Sequence, residues 1–346
     1  MRKLSAFLLA AALCAGLLAG CGSSNENSEK SSENSSTETA SWSFGSSSEQ
    51  AEISDYSAYY SDYYVEITDD LGRTVELHRP PQKVAVLNGS YAETWLLAGG
   101  EISAAVKDAW EDYDFGLSED VVNLGSTKDL NMELIFDTDP DLIIASAGST
   151  SHKAALETFE NAKLNVLYFE VNNFDDYLRM LAACTQITMR DDLFETNGTA
   201  VKTQVDAVKA AAEAAVSEKG APKVLLIRAA ASGVHAKGSS GTVAGEMLAD
   251  LGVVNIADGS GLLEDLSLEK IIEEDPDFIF IVQQGDDTEG MQKLLDETLM
   301  SNPAWSGLTA VKEGRLFYLD KKLYHFKPNN RWGTAYEELE KILFED

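Results

Sequence analysis

Between residues 312 and 331 six Lys or Arg stand against two acids, in a chain whose formal net charge is −31. Local basicity within so acidic a protein favours capture of an anionic ligand. Arg pairs carboxylates bidentately, and Tyr or Trp stacks on conjugated groups. Lys312, Lys321 and Lys322 read as ordinary solvated surface, whereas Tyr324, His325, Lys327 and Arg331 are candidates to line a binding cleft. Further candidates lie just after apolar runs that read as strands: Asn88, Tyr91, Trp110, Arg228, His235, Lys237 and Gln283. His235 and His325 are the histidines among these candidates; a single histidine is more often a hydrogen-bonded surface or core residue than a metal ligand.

Catalytic patterns fail on inspection. Ser267-Leu268-Glu269-Lys270 has SxxK spacing, but no SDN or KTG accompanies it. Gly238-Ser239-Ser240-Gly241-Thr242 lacks the lysine of a P-loop. Four histidines without HExxH or CxxC make a zinc site a poor reading, and a receptor for free divalent metal equally so. The chain is therefore read as no enzyme, without a cofactor of its own.

The elements that must position these residues are legible from periodicity and repetition. The chain has 346 residues, of which 44% are hydrophobic, enough for a substantial core. Its acidity excludes nucleic acid as a partner. Asp129-Leu130-Asn131-Met132-Glu133-Leu134-Ile135 with Asp139-Pro140-Asp141-Leu142-Ile143 recurs 136 residues later as Asp265-Leu266-Ser267-Leu268-Glu269-Lys270-Ile271 with Asp275-Pro276-Asp277-Phe278-Ile279. Two related lobes follow. In each, apolar runs alternate with helical segments: Val84–Leu87, Leu142–Ala145 and Leu164–Phe169, then Val224–Ile227, Phe278–Val282 and Leu316–Leu319. That alternation predicts an α/β fold with mostly parallel sheets, whose ligands bind beyond the carboxyl ends of the strands. Residues 190–219 hold apolar positions near helical spacing, contain no proline and stop at Gly220, predicting one long connecting helix weakened at Gly198. The expected divisions are 64–173 for the first lobe, 174–219 for the connecting helical segment and 220–346 for the second lobe with a closing helix.

The first twenty residues read as a signal peptide, with Arg2 and Lys3 before an uncharged stretch. Leu18-Ala19-Gly20-Cys21 resembles the bacterial lipoprotein signal, which implies cleavage before Cys21 and lipid attachment to its sulfur. Residues 21–63 are rich in Ser and Glu and read as a disordered tether. Cys184, in an apolar helical context, reads as a small buried hydrophobe.

Asp70-Leu71-Gly72-Arg73-Thr74-Val75-Glu76-Leu77, the paired Pro-Asp motifs, Asn302-Pro303-Ala304-Trp305 and Ala310-Val311-Lys312-Glu313-Gly314-Arg315-Leu316-Phe317-Tyr318 together resemble one family over residues 64–346. It is the substrate-binding proteins of ABC importers for iron–siderophore, haem and cobalamin. The resemblance implies a ligand cleft between two lobes joined by one backbone helix. It also implies a monomeric receptor, lipid-anchored on the extracytoplasmic face of the cell membrane, that delivers a small metal chelate to a permease dimer with its ATPase subunits. A siderophore-type ferric chelate is the first reading; haem or cobalamin is the alternative, and a surface sensor without a permease is an alternative of another class. Only if the ligand were haem would His235 or His325 ligate its iron, opposed by Met132 or Tyr91.

With Asn131 and Ser267 as N-caps, Glu133 and Glu269 fall in the first turns of equivalent helices, where interaction with the helix dipole alone is worth roughly 0.3–1 kcal/mol. Proteins similar to this one place one such glutamate per lobe against arginines of the two permease subunits. The resemblance thus assigns Glu133 and Glu269 to docking.

Overall fold

The computed structural model describes residues 63–113, 115–259, 261 and 267–345. The expected signal peptide, Cys21, the expected tether up to residue 62 and the Asp265-Leu266 pair of the repeat lie outside them.

The chain enters as a hairpin, β1 (Tyr64–Thr68) and β2 (Thr74–His78), with Val65, Ile67 and Leu77 turned inward. Asp69 makes the turn. Its carboxylate accepts from the Leu71 and Arg73 amides, pairs with Arg73 Nη2 at 2.6 Å and accepts from the Tyr168 amide at 3.3 Å. Within the Asp70-Leu71-Gly72-Arg73 motif itself, Arg73 Nη2 donates to the Val166 carbonyl and Asp70 accepts from the Glu170 amide, each at 2.7 Å, so Asp69 and the motif together bolt the hairpin onto the first lobe. His78 is structural, its ring stacked on Tyr63 and edge-on to Tyr64.

In the first lobe, β3 (Val84–Val86), β4 (Ala104–Ala105), β5 (Val122–Asn123), β6 (Leu142–Ser146) and β7 (Val166–Phe169) form a parallel sheet in the order β5-β4-β3-β6-β7. The connections carry α1 (Gly89–Leu97), α2 (Asp108–Glu111), α3 (Met132–Asp137), α4 (Thr150–Ala154) and α5 (Leu156–Asn161). Helices on both faces explain why β3, β6 and β7 are apolar almost throughout rather than alternating.

Next, α6 (Phe174–Thr188) carries an Asn173/Asp176 capping box. The connecting helix follows as α7 (Asp191–Phe194), a π-helical turn (Glu195–Thr199) and α8 (Ala200–Lys219), about 44 Å in all and closed by Gly220 at φ 89°. Gly198 weakens no regular helix; it sits in the π turn, where a Cβ would stand 3.1 Å from the Phe194 ring and 3.3 Å from Leu181. The widened turn leaves the Asn197 carbonyl to accept from Tyr177 Oη at 2.9 Å, while its side chain donates to the Leu97 carbonyl at 3.0 Å.

The second lobe holds β8 (Lys223–Ala230), β9 (Gly233–Lys237), α9 (Val243–Asp250), β10 (Val254–Asn255), α10 (Leu268–Glu274), β11 (Phe278–Gln283), α11 (Thr288–Leu295), α12 (Thr309–Lys312), β12 (Leu316–Leu319), α13 (Lys321–Tyr324) and the closing helix α14 (Trp332–Phe344). Its order is β10-β8-β11-β12, all parallel, with β9 folded back antiparallel on β8.

The repeat has a physical basis. Asp139 and Asp275 take left-handed φ values of 46° and 41°, which Asp tolerates. Asp141 then accepts from the Gln82 and Lys83 amides, and Asp277 from the Lys223 amide at 2.8 Å. Each motif stops a helix and clamps the next strand to its neighbour. Ser267, unlike Asn131, makes no side-chain cap bond: Asn131 Oδ1 accepts from the Leu134 amide at 3.1 Å, and Ser267 Oγ accepts from none of the first-turn amides.

One core joins the lobes. Val84, Val86, Trp95, Tyr177, Val201, Phe280, Trp332 and Tyr336 belong to a single apolar cluster, so α14 packs on α8 and the first lobe as well as on the second. Cys184 lies fully buried in it as a free thiol, its pKa pushed up by burial.

Candidate functional site

At the carboxyl end of β8, beside β11, where the order of the second sheet reverses, a cavity of about 180 Å³ opens. Arg228, Lys237, Val282, Tyr324, His325 and Lys327 line it, together with the first turn of α9 from Thr242. No Asp or Glu lines it. Arg228 reaches it because it follows Val224 and Leu226 on the same face of β8, one alternation beyond the last apolar core residue of that face. Lys237 follows two residues after His235 on β9, the antiparallel neighbour of β8. Thr242 caps α9 by accepting from the Gly245 amide at 3.2 Å. Gly245 is required there, since a Cβ would fall 2.3 Å from the Gly238 carbonyl oxygen. The helix therefore points its positive end into the cavity.

The electrostatics are one-sided. The Arg228 side chain has no ion pair or hydrogen-bond partner among the described residues, and its Nε is buried and unsatisfied. Burial lowers its pKa. Burial and the nearby Arg228 charge also lower that of Lys237. Burial pushes Lys327 down to about 8 against the weaker pull of Asp176 and Glu170. Burial, then Arg228, Lys327, Lys321 and Lys128, push His325 down to about 4. Cations crowded without a counter-ion are costly, and a bound anion relieves every one of these penalties at once.

This arrangement has opposite pH signatures with and without ligand. Lys327 titrates near 8 folded and 10.5 unfolded, so the unfolded chain holds the extra proton between those values. Stability of the ligand-free protein therefore rises with pH from about 8 to 10.5. His325 titrates near 4 folded and 6.5 unfolded, so stability is lost as pH falls from 6.5 towards 4. A bound anion raises the Lys327 pKa, so binding takes up a proton above pH 8 and affinity falls there, by at most about tenfold per pH unit. Denaturant melts and chelate titrations across pH 7–10 check both slopes; an affinity that rises with pH contradicts the arrangement.

The structure brings Arg228, Lys237, Tyr324, His325 and Lys327 together and separates the other expected residues from them. Asn88 caps α1, accepting from the Ser90 and Tyr91 amides. Tyr91 stands in the core, donating to the Phe169 carbonyl at 2.9 Å, with burial raising its pKa to about 12; it does not line the cavity. Trp110 is half-buried against the first-lobe core. His235 faces Arg228 across the β8–β9 ladder but is exposed, its ring folded over Gly233. Gln283 is held by Gly285 and Thr288 in a local turn. Tyr324 lines the wall with its ring while its hydroxyl bonds the Ala335 carbonyl and Glu338 at 3.0 Å each. Met132 packs in the first-lobe core.

Arg331 does other work. It pairs with Glu93 of α1 at 3.0 Å, and Asn329 donates to the same carboxylate at 2.6 Å and to the Ser90 carbonyl, while accepting from Thr94 Oγ1 at 3.0 Å. The segment after α13 thus clasps the first lobe and suspends Lys327 over the cavity. Asn329 is buried at a left-handed φ of 56°. Asn329→Ala removes three hydrogen bonds at once, to Thr94, Ser90 and Glu93, and is expected to cost about 2 kcal/mol in denaturant unfolding; a loss below about 0.5 kcal/mol contradicts the clasp.

Sequence reasoning missed Lys128, an exposed lysine after β5 close enough to depress His325, because a lone loop lysine carries no signal. It took Lys321 for plain surface; its Nζ pairs with Asp286 and, at 3.3 Å, with Asp112. Glu133 and Glu269 are both exposed and make no ion pair or hydrogen bond among the described residues through their carboxylates. No cluster of three or more His, Cys, Asp or Glu able to hold a metal ion occurs among the described residues, and no described helix is long and apolar enough to cross a membrane.

Known proteins share this architecture. The Fe(3+)-citrate-binding protein YfmC of Bacillus subtilis (strain 168) is 25% identical over 259 residues, covering 74% of this chain and 78% of the relative. Among solved structures, the petrobactin-binding protein YclQ from Bacillus subtilis superposes with a TM-score of 0.66 at 20% identity, over 82% of this chain and 99% of that one. Staphylococcus aureus SirA, complexed with staphyloferrin B, gives 0.63 at 20% identity, over 81% and 98%. The family model described as periplasmic binding protein matches residues 84–323, so the chain belongs to that family of substrate-binding proteins, which are not enzymes.

Proposed function

We propose that this chain is the receptor of an ABC importer that captures an anionic ferric chelate outside the cell and hands it to a permease dimer powered by separate ATPase subunits. The observation that carries the reading is Arg228, a cation without a partner at the switch point of the second sheet, flanked by Lys237 and Lys327 with no carboxylate in the wall. Such a site complements the carboxylates of a chelate and repels a cationic one. The ferric-citrate relative YfmC supports the same class. Haem held through a histidine is less favoured: His235 lies exposed outside the cavity, and His325 is hemmed in by cations. In this reading Cys21 carries the lipid anchor, and Glu133 and Glu269 meet the permease.

Titration of the soluble chain (residues 22–346) with ferric citrate, haemin, cyanocobalamin and a cationic ferrioxamine, followed by tryptophan fluorescence, tests the selectivity. The expected order places ferric citrate first, at a Kd of about 1 μM or tighter (−8 kcal/mol), weakening with salt. Preference for the cationic chelate or for cyanocobalamin overturns the reading.

A further inference from the structure

The docking helices carry a second matched feature. Phe136 on α3 and Ile272 on α10 occupy equivalent positions of the repeat, offset by the same 136 residues that relate Glu133 to Glu269. They are 37% and 40% exposed, and among the exposed large apolar side chains of the described residues they are the pair related by the repeat. Each stands three residues after its glutamate, so glutamate and apolar side chain share one helix face. The preceding residues, Ile135 and Ile271, are fully buried and fix which face of each helix looks outward. Both helices are crossovers leading into the strand beside the first strand of their sheet, β6 beside β3 and β11 beside β8. A crossover helix runs back against its parallel strands, so the first turns of α3 and α10 reach the carboxyl edges of the two sheets, the edge where the ligand cavity opens.

A surface that offers an unpaired carboxylate and an exposed apolar side chain twice, once per lobe, fits a partner that offers the complementary element twice. That is a two-fold dimer presenting a cation beside an apolar pocket on each subunit. We infer that Phe136 and Ile272 are the apolar anchors through which the two lobes seat on the two permease subunits, next to the cations that meet Glu133 and Glu269. The inference rests on the docking role proposed above and assigns it a division of labour. Exposed carboxylates steer the encounter and set the association rate and its salt dependence, whereas desolvated apolar anchors set the residence time.

The test measures association and dissociation rates of the ferric-citrate-loaded mature chain on its cognate permease–ATPase complex in lipid nanodiscs. F136S/I272S is expected to dissociate about 30-fold faster or more, with an association rate within about twofold of wild type and an unchanged salt slope. F136L/I272V keeps the apolar character and is expected to restore slow dissociation. E133Q/E269Q is expected to slow association about tenfold and flatten its salt dependence. Ferric citrate titration of each variant shows whether the lobes remain intact. If F136S/I272S dissociates like wild type while E133Q/E269Q weakens binding, the anchor role is wrong and docking through the glutamates stands. If neither pair changes either rate, the docking role itself is wrong. Slow association of F136S/I272S with unaltered dissociation also overturns the anchor role.

Discussion

Arg228→Ala is expected to weaken ferric citrate binding by about 100-fold or more and to leave the ligand-free protein at least as stable as wild type. Both halves follow from the same fact. The guanidinium stands in the cavity wall with a buried, unsatisfied Nε and no counter-ion, so in the empty protein it costs desolvation energy that nothing offsets. A chelate carboxylate supplies the missing partner through charge-assisted, bidentate bonds, each worth roughly 1.5–3 kcal/mol. An ordinary structural arginine behaves the opposite way, since its truncation strands a paired acid. Arg228→Lys keeps the charge but loses the planar fork and is expected to retain only about a tenth of the affinity. Fluorescence titration together with a thermal melt of each variant checks the account. Unchanged affinity, or a melt lowered by more than about 5 °C, refutes it.

Reversing the two acids proposed for docking, Glu133→Lys with Glu269→Lys, is expected to reduce chelate uptake by about 100-fold while ferric citrate affinity stays within about twofold of wild type. The side chains are exposed and without ion pairs among the described residues, so their removal disturbs little inside the protein. Against the cations that the docking proposal places on the permease, two introduced lysines convert attraction to repulsion at both contacts, and like-charge juxtaposition at an interface costs several kcal/mol. One reversal alone leaves the other lobe engaged and is expected to give an intermediate loss. Uptake of labelled ferric citrate by cells carrying each variant separates the outcomes. Normal uptake by the double variant favours a sensor that needs no permease, and loss of chelate binding places the acids in the fold instead.

Much of the architecture was legible because the repeat is enforced by backbone chemistry. Asp139-Pro140-Asp141 and Asp275-Pro276-Asp277 each combine a left-handed aspartate with a carboxylate that caps a neighbouring strand, and few other residues can do both. The strands read as continuous apolar runs because both faces of their sheets are covered. Less legible was β9, whose Gly233–Lys237 stretch is short and mixed in polarity, and the π turn at Glu195–Thr199, which arises where Gly198 must clear Phe194. For the site, Arg228 was legible as the residue that directly follows a buried strand run. Tyr91 and Arg331 were not, because what decides their roles is distant in the chain: the Phe169 carbonyl for Tyr91, and Glu93, 238 residues away, for Arg331. Periodicity shows that a residue is near a strand end; it does not show which partner will claim it.

The central claim is that the cavity beside β8 is an anion receptor for a ferric chelate, and a crystal structure of the complex with ferric citrate tests it most directly. The account predicts a chelate carboxylate about 2.7–2.9 Å from the Arg228 guanidinium, with further oxygens facing Lys237 and Lys327 and the iron not ligated by His325. Ferric citrate seated without touching Arg228, Lys237 or Lys327, or held through an iron–histidine bond, would contradict it.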